Sequence, residues 1–152
     1  MSKSRKLMVL ALAVSAVCAL VVAQALAATT TWTGAGTNDP VFKVAFTKVK
    51  PSGQPAKVKD FASKQLHFTC TGTSQPPFRA NTTIHTPITV HSGAFSRTAS
   101  FFSGNLKVTY TITGKFLSVR TATGTYKERR ALASNPSVHC DSVQEPWKAH
   151  KQ

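Results

Sequence analysis

The sequence predicts an all-β exported domain, an antiparallel β-sandwich or partly closed barrel of about eight to ten short strands with one disulfide. Three observations predict it. Apolar and polar residues alternate with period two in several runs, most clearly over 107–126. Gly- and Pro-containing turns recur about every ten residues, and no long helix fits between them. A leader-like N-terminus is followed by a stretch carrying two cysteines.

The leader comes first. Lys3, Arg5 and Lys6 make a positive start, residues 7–22 are apolar and uncharged, and Ala25 and Ala27 place small residues where a signal peptidase reads them. Residues 1–27 are therefore expected to be a signal peptide and 28–152 a single secreted β-domain. No adjacent Arg pair marks the twin-arginine route. The competing reading is a retained anchor, but the apolar run falls short of the ~20 residues that span a bilayer. Cys18 lies inside the run and is expected to leave with it; the residue before it, Val17, is not the small one a lipoprotein site uses. No transmembrane segment is then expected after cleavage.

Cleavage leaves Cys70 and Cys140, which an oxidising compartment would join. It also leaves sixteen of the nineteen Lys and Arg against five Asp and Glu, a formal charge of +11. Such a charge favours anionic partners and is equally compatible with a highly charged solvated surface. The basic residues are spread, and Lys127, Arg129 and Arg130 make the one dense cluster.

The elements follow in order. Residues 29–38, with Trp32 among threonines, suit a first edge strand and a turn. In 41–49, Phe42, Val44, Phe46 and Lys48 share one face, and the Phe/Val/Phe part of it should be buried. Residues 51–55 are a turn. Residues 57–61 form a short strand with Val58 inward, and 65–70 form another with Leu66, Phe68 and Cys70 on one face. Residues 71–80 read as a loop. Residues 81–90 read as one extended strand with Ile84, Thr86, Ile88 and Val90 on one face, demoted towards an edge by Pro87. Asn81-Thr82-Thr83 is a glycosylation sequon. Ser92-Gly93 and residues 103–105 are turns. After Tyr126, the Ala and Leu of 127–140 support one helical turn, ended at Asn135-Pro136. Residues 143–149 form the last strand, with Pro146 at a free edge or bulge.

The hairpin in 107–126 can be given a register. Val108, Tyr110, Ile112, Gly114 and Phe116 face one way, and Ala122, Gly124 and Tyr126 must share that face. Parity then demands an odd loop. A three-residue loop, 118–120, sets Gly114 opposite Gly124 and Phe116 opposite Ala122. The paired glycines would open a notch for an aromatic ring, with Trp147 and Trp32 as candidates.

Four pieces in order carry a resemblance: FTCTG around Cys70, SGAFSRT at 92–98, VTYTITGKFLSVRTATGTYK at 108–127 and VHCDSVQEPWKA at 138–149. Together they resemble a family of small secreted β-proteins of actinobacteria with no assigned activity. The resemblance implies export, a β-fold and the disulfide, and it implies no catalytic residue. This chain departs from that pattern in its charged spacer before Cys140 and in Ala94, where a charged residue is often found.

Chemistry is sparsely marked. Asp39, Asp60, Glu128, Asp141 and Glu145 are the acids of 28–152, and only Asp141 and Glu145 lie near each other. Paired-carboxylate hydrolysis needs two acids about 5–10 Å apart in a cleft. No G-x-S-x-G is present. The five histidines are isolated; His85 and His91 could converge across a turn, but their spacing matches no known metal site. No cofactor or metal is expected, and no catalytic residue is assigned. The expected function is a secreted, non-enzymatic domain that binds an anionic cell-wall polymer or a carbohydrate, extracellular or wall-associated. Trp32, Lys127, Arg129 and Arg130 are its candidate ligand surface, with Phe78 and the Phe101-Phe102 pair as further aromatics. The alternative is a secreted hydrolase whose site the sequence does not mark. Nucleic acid is a less natural partner for an exported chain.

Overall fold

The computed structural model describes residues 27–152. The expected signal peptide, 1–27 with Cys18, lies outside the described residues except for Ala27. The described chain is all-β and antiparallel. Its strands are β1 (Ala28–Gly36), β2 (Lys43–Lys50), β3 (Lys57–Thr71), β4 (Phe78–Ile84), β5 (Ile88–Thr89), β6 (Ala94–Ser103), β7 (Leu106–Phe116), β8 (Thr121–Leu132), β9 (His139–Ser142) and β10 (Glu145–Lys151). Several are longer than the short strands expected; β3 runs for 15 residues and β8 for 12. No helical turn interrupts 127–140: β8 simply continues to Leu132, with Glu128 and Arg130 on the face that Tyr126 occupies.

Hydrogen bonding follows the path β10-β1-β2-β3-β9-β8-β7-β6, and β8 also pairs with β10. Six strands thus close a ring. One edge of β8 is shared, first by β10 opposite 121–126 and then by β9 opposite 129–131. Strand β4 and the two-residue β5 pair the other side of β3, while β6 ends the path. The barrel is therefore partly closed, with a seam between β4 and β6. Only the bridge His91↔Ala94, across the Ser92-Gly93 turn, ties the β5 end of the seam to β6. Cys70 and Cys140 are directly paired on β3 and β9 and form a disulfide.

Trp32 is not on an edge strand. β1 lies between β10 and β2, so both sides of the strand are paired. Its indole is 2 % exposed. It stacks on Phe46 at 5.9 Å and meets Phe116 edge-on at 5.0 Å. The aromatic column continues through Phe61 to Tyr126, with ring centroids 5.8 and 5.6 Å apart. The expected inward positions, Phe42 just before β2, Val44 and Phe46 on it, and Val58, Leu66 and Phe68 on β3, are all buried.

Strand β3 is a single bent element where two were expected. Asp60 and Gln65 have φ of 51° and 58°, and the pairing with β2 and β4 slips at these points. Each slip is a bulge that resets parity, so the inward side chains run Val58, Phe61, Ser63, Leu66, Phe68. The opposite break is in 81–90, where β4 stops at Ile84. Thr86 points to solvent, whereas Ile84, Ile88 and Val90 remain inside.

The 107–126 hairpin has the register that parity requires. Gly114 faces Gly124 and Phe116 faces Ala122, with 118–120 as the loop. The row extends across four strands, Phe95–Gly114–Gly124–Trp147, because β6 and β10 flank the hairpin. Phe95 and Trp147 lean over the two glycines and stack on each other at 6.4 Å. Trp147 is one of the two rings expected in the notch; Phe95, not Trp32, is the other. A Cβ on Gly114 would enter the Phe95 ring, and one on Gly124 would overlap both the Trp147 ring and the Thr113 carbonyl oxygen. Gly124→Ala is accordingly expected to cost about 2–3 kcal/mol in chemical denaturation, since backbone must move to admit the methyl. Gly53→Ala is the control: its site is open, and only its φ of 67° opposes the change.

Candidate functional site

The outer wall of the barrel carries the charge. Strand parity aims Lys115, Lys148, Lys43 and Lys64 outward, and the pairing sets them in one row: Lys115↔Thr123, Thr123↔Lys148, Lys148↔Ala35, Ala35↔Lys43, Lys43↔Lys64. All four lysines are exposed. At about 4.8 Å per strand the row spans about 24 Å of wall. The outward positions between the lysines are small, Thr33, Ala35 and Ala45, and long side chains on either side stand above them. The result is an open groove of about 760 Å³ bordered by Lys43, Lys64, Lys148 and His150. Lys43 Nζ donates to the Pro40 carbonyl at 2.7 Å.

Above this belt the outer face of β6, β7 and β8 is a sheet of hydroxyls. Thr98 bonds Thr111 at 3.0 Å, Ser100 bonds Thr109 at 2.7 Å and Thr113 bonds Thr125 at 2.8 Å. Neutral hydroxyls and lysines thus share one wall.

The acids are engaged elsewhere. Asp39 pairs with Arg79 at 2.6 Å, and the Arg79 hydrogen bond holds its carboxyl below the ordinary 3.8 against the opposing effect of burial. Asp60 meets His85 at 2.9 Å. Asp141 lies 3.8 Å from Arg129 and 3.3 Å from His139. Glu145 is buried, and its Oε1 accepts the Asn38 and Asp39 backbone N–H groups at 3.0 and 2.8 Å, which fixes the β1–β2 turn. Glu128 is 1 % exposed and bonded to Tyr126 and Arg130. Asp141 and Glu145 therefore serve different partners and do not form a pair. The belt, in contrast, faces no carboxylate among these contacts.

The expected ligand surface is only partly assembled. Lys127 and Arg129 point outward on β8, with Arg129 drawn towards Asp141. Arg130, two residues from Glu128 and of the same parity, turns inward. Its Nε donates to Glu128 at 2.7 Å, its Nη2 to Thr82 at 2.9 Å, and its guanidinium lies 4.8 Å from the Phe68 ring centre. Arg130 is thus withdrawn from any outer surface, as Trp32 is. Phe78 stacks on Phe68 at 5.3 Å and is also committed. Phe101 is 37 % exposed and packs against Tyr110, whereas Phe102 stands 68 % exposed beside Lys107 and Arg129. Lys48 faces inward at the barrel end, with Nζ 4.0 Å from the Phe116 ring centre; burial, then the Lys50 charge, lowers its pKa.

The belt lysines were not singled out by sequence. Alternation in 41–49 puts Lys43 outward, and Trp147 inward puts Lys148 outward. What joins them is strand order, which inserts β10 and β1 between β8 and β2. Among the described residues no group of three or more His, Cys, Asp or Glu could hold a metal ion, and no helix is long and apolar enough to cross a membrane. No protein-family model, curated protein or solved structure is significantly similar to this chain.

Proposed function

We propose that this protein is an exported, non-enzymatic binding domain that attaches to an anionic cell-envelope polymer through the lysine belt. The observation that carries the reading is the register Lys115–Thr123–Lys148–Ala35–Lys43–Lys64, four exposed cations in one row, while each of the five acids is engaged by other groups. A linear polyanion laid across the strands would meet a cation at four of six strand positions, with hydroxyls of β7 and β8 alongside to accept or donate hydrogen bonds. The steps between strands are rigid, so the spacing of charges is set by the sheet and not by flexible loops.

Such binding is electrostatic and weakens as salt screens it, because the Debye length falls from ≈ 10 Å at 0.1 M to about 3 Å at 1 M. Retention of the purified chain on isolated cell wall is expected at low salt and lost at high salt. Equal retention at both would contradict the reading. A carbohydrate component finds support in Phe102, an exposed ring beside Lys107 and Arg129 at a pocket of about 420 Å³.

A further inference from the structure

The seam between β4 and β6 holds a cation of a different kind. Arg97 shares the inward parity of Phe95, and its row is Arg97–Ile112–Tyr126. It is thus a guanidinium on the inner face of the strand that ends the sheet. Its Nε is buried with no hydrogen-bond partner, and none of the ion pairs among the described residues includes it. A buried donor on a charged group left unpaired costs free energy, and the other inward-facing arginine, Arg130, is satisfied four ways, by Glu128, Asn81, Thr82 and the Phe68 ring.

Beside Arg97 is a pocket of about 240 Å³. Thr83 and Ile84 of β4, with His85 and Thr86 just beyond it, form one wall, and Phe101 and Tyr110 form its β6–β7 wall. Ile84 and Tyr110 are 4 % and 3 % exposed, so the pocket reaches the core. It contains hydroxyls, two aromatic rings, the Arg97 guanidinium and the His85 imidazole, which is held by Asp60 at 2.9 Å; no carboxylate lines the pocket itself.

We propose that this seam pocket binds a small oxyanion carried on a single sugar-sized ring, a carboxylate or a phosphate, with Arg97 as the anchoring residue. The planar fork of guanidinium donors matches either group, and Arg97, in none of the ion pairs among the described residues, is the lining cation such a ligand would meet. Phe101 and Tyr110 offer apolar faces to the ring. The volume suits a ligand below drug size. The pocket lies on the seam and not on the belt, so the proposal stands independently of polymer attachment.

The test is a titration of the oxidised protein with glucuronate, glucose 1-phosphate and glucose, followed by NMR at the Arg97 Nε–H and the Thr86 and Ser100 amides. At least one of the two oxyanions is expected to shift these resonances saturably, and which one does so identifies the group; glucose is expected not to. Arg97→Gln is expected to weaken binding by roughly tenfold or more, and Arg97→Lys, which keeps the charge but loses the fork, to weaken it less. Neutralising Lys43, Lys64 and Lys148 together is expected to leave it intact. Equal binding of glucose, unchanged binding by Arg97→Gln, or no saturable shift would overturn the proposal. Self-association of Arg97→Gln without any oxyanion binding by the parent chain would instead make Arg97 a charge that guards the free edge of β6.

Discussion

Replacing Glu128 with alanine is expected to destabilise the fold by about 4 kcal/mol, read as a fall in the urea midpoint at unchanged slope. The carboxylate is 1 % exposed and, through Arg130, ties β8 to β4. Its Oε2 accepts the Tyr126 hydroxyl at 2.7 Å and its Oε1 accepts Arg130 Nε at 2.7 Å. Arg130 then reaches β4 through the Asn81 carbonyl at 3.2 Å and the Thr82 hydroxyl at 2.9 Å. The Tyr126 pKa is pushed far up, first by burial and then by the Glu128 charge, so the phenol remains a proton donor across the usable pH range. Removing the carboxylate strands an arginine whose side chain is only 20 % exposed. Removing one partner of a buried pair costs about 3–5 kcal/mol, whereas replacing both by apolar residues of similar volume is often neutral. Glu128→Met with Arg130→Met should therefore be much less damaging than Glu128→Ala alone. A loss below about 1 kcal/mol for the single variant would show that the network does not bear on stability.

Breaking the disulfide is expected to cost about as much. Cys70 and Cys140 are 70 residues apart, and closing a loop of that length is worth about 4 kcal/mol in the chain-entropy view. Its position adds a structural argument. β9 is four residues long and is what joins β3 to β8 in the ring. Without the covalent link, that short strand must hold the ring by backbone pairing alone. Cys70→Ser with Cys140→Ser should lower the melting temperature, and reduction of the parent protein should reproduce the shift. Amide exchange should rise first at 139–142 and at the paired 129–131. A melting temperature unaffected by reductant would contradict this account.

Much of the scaffold was legible where alternation runs unbroken. Over 107–126 period two is uninterrupted, so the face of each residue, the odd loop and the Gly114–Gly124 pairing all followed from parity. On β3 the same reasoning stopped early, because Asp60 and Gln65 adopt positive φ without being glycine and nothing local announces the bulges. Two strands were expected where one bent strand exists. Trp32 was expected on an edge strand and offered both as a surface ring and as a core ring. Its strand is paired on both sides, which leaves the indole inside, with Thr31 and Thr33 outward and Thr30 bonded to its Nε1. Arg130 was grouped with Lys127 and Arg129 by composition, although its parity with Tyr126 already placed it inward. The belt is the clearest case of information beyond local sequence. Each of its lysines is outward by parity, but their alignment depends on β10 sitting between β8 and β1, a non-local pairing.

The central claim is that the aligned lysines, and not net charge alone, hold an anionic polymer. The most direct measurement is the retention of two variants with equal charge on isolated cell wall across a salt series. In one, Lys43, Lys64 and Lys148 are changed to Gln; in the other, Lys50, Lys57 and Lys151, which lie off the row and away from the Phe102 pocket, are changed to Gln. The belt variant is expected to lose retention at a much lower salt concentration than the second variant, which should follow the parent chain closely. Equal loss in the two would contradict the account and reduce the interaction to the overall charge of the domain.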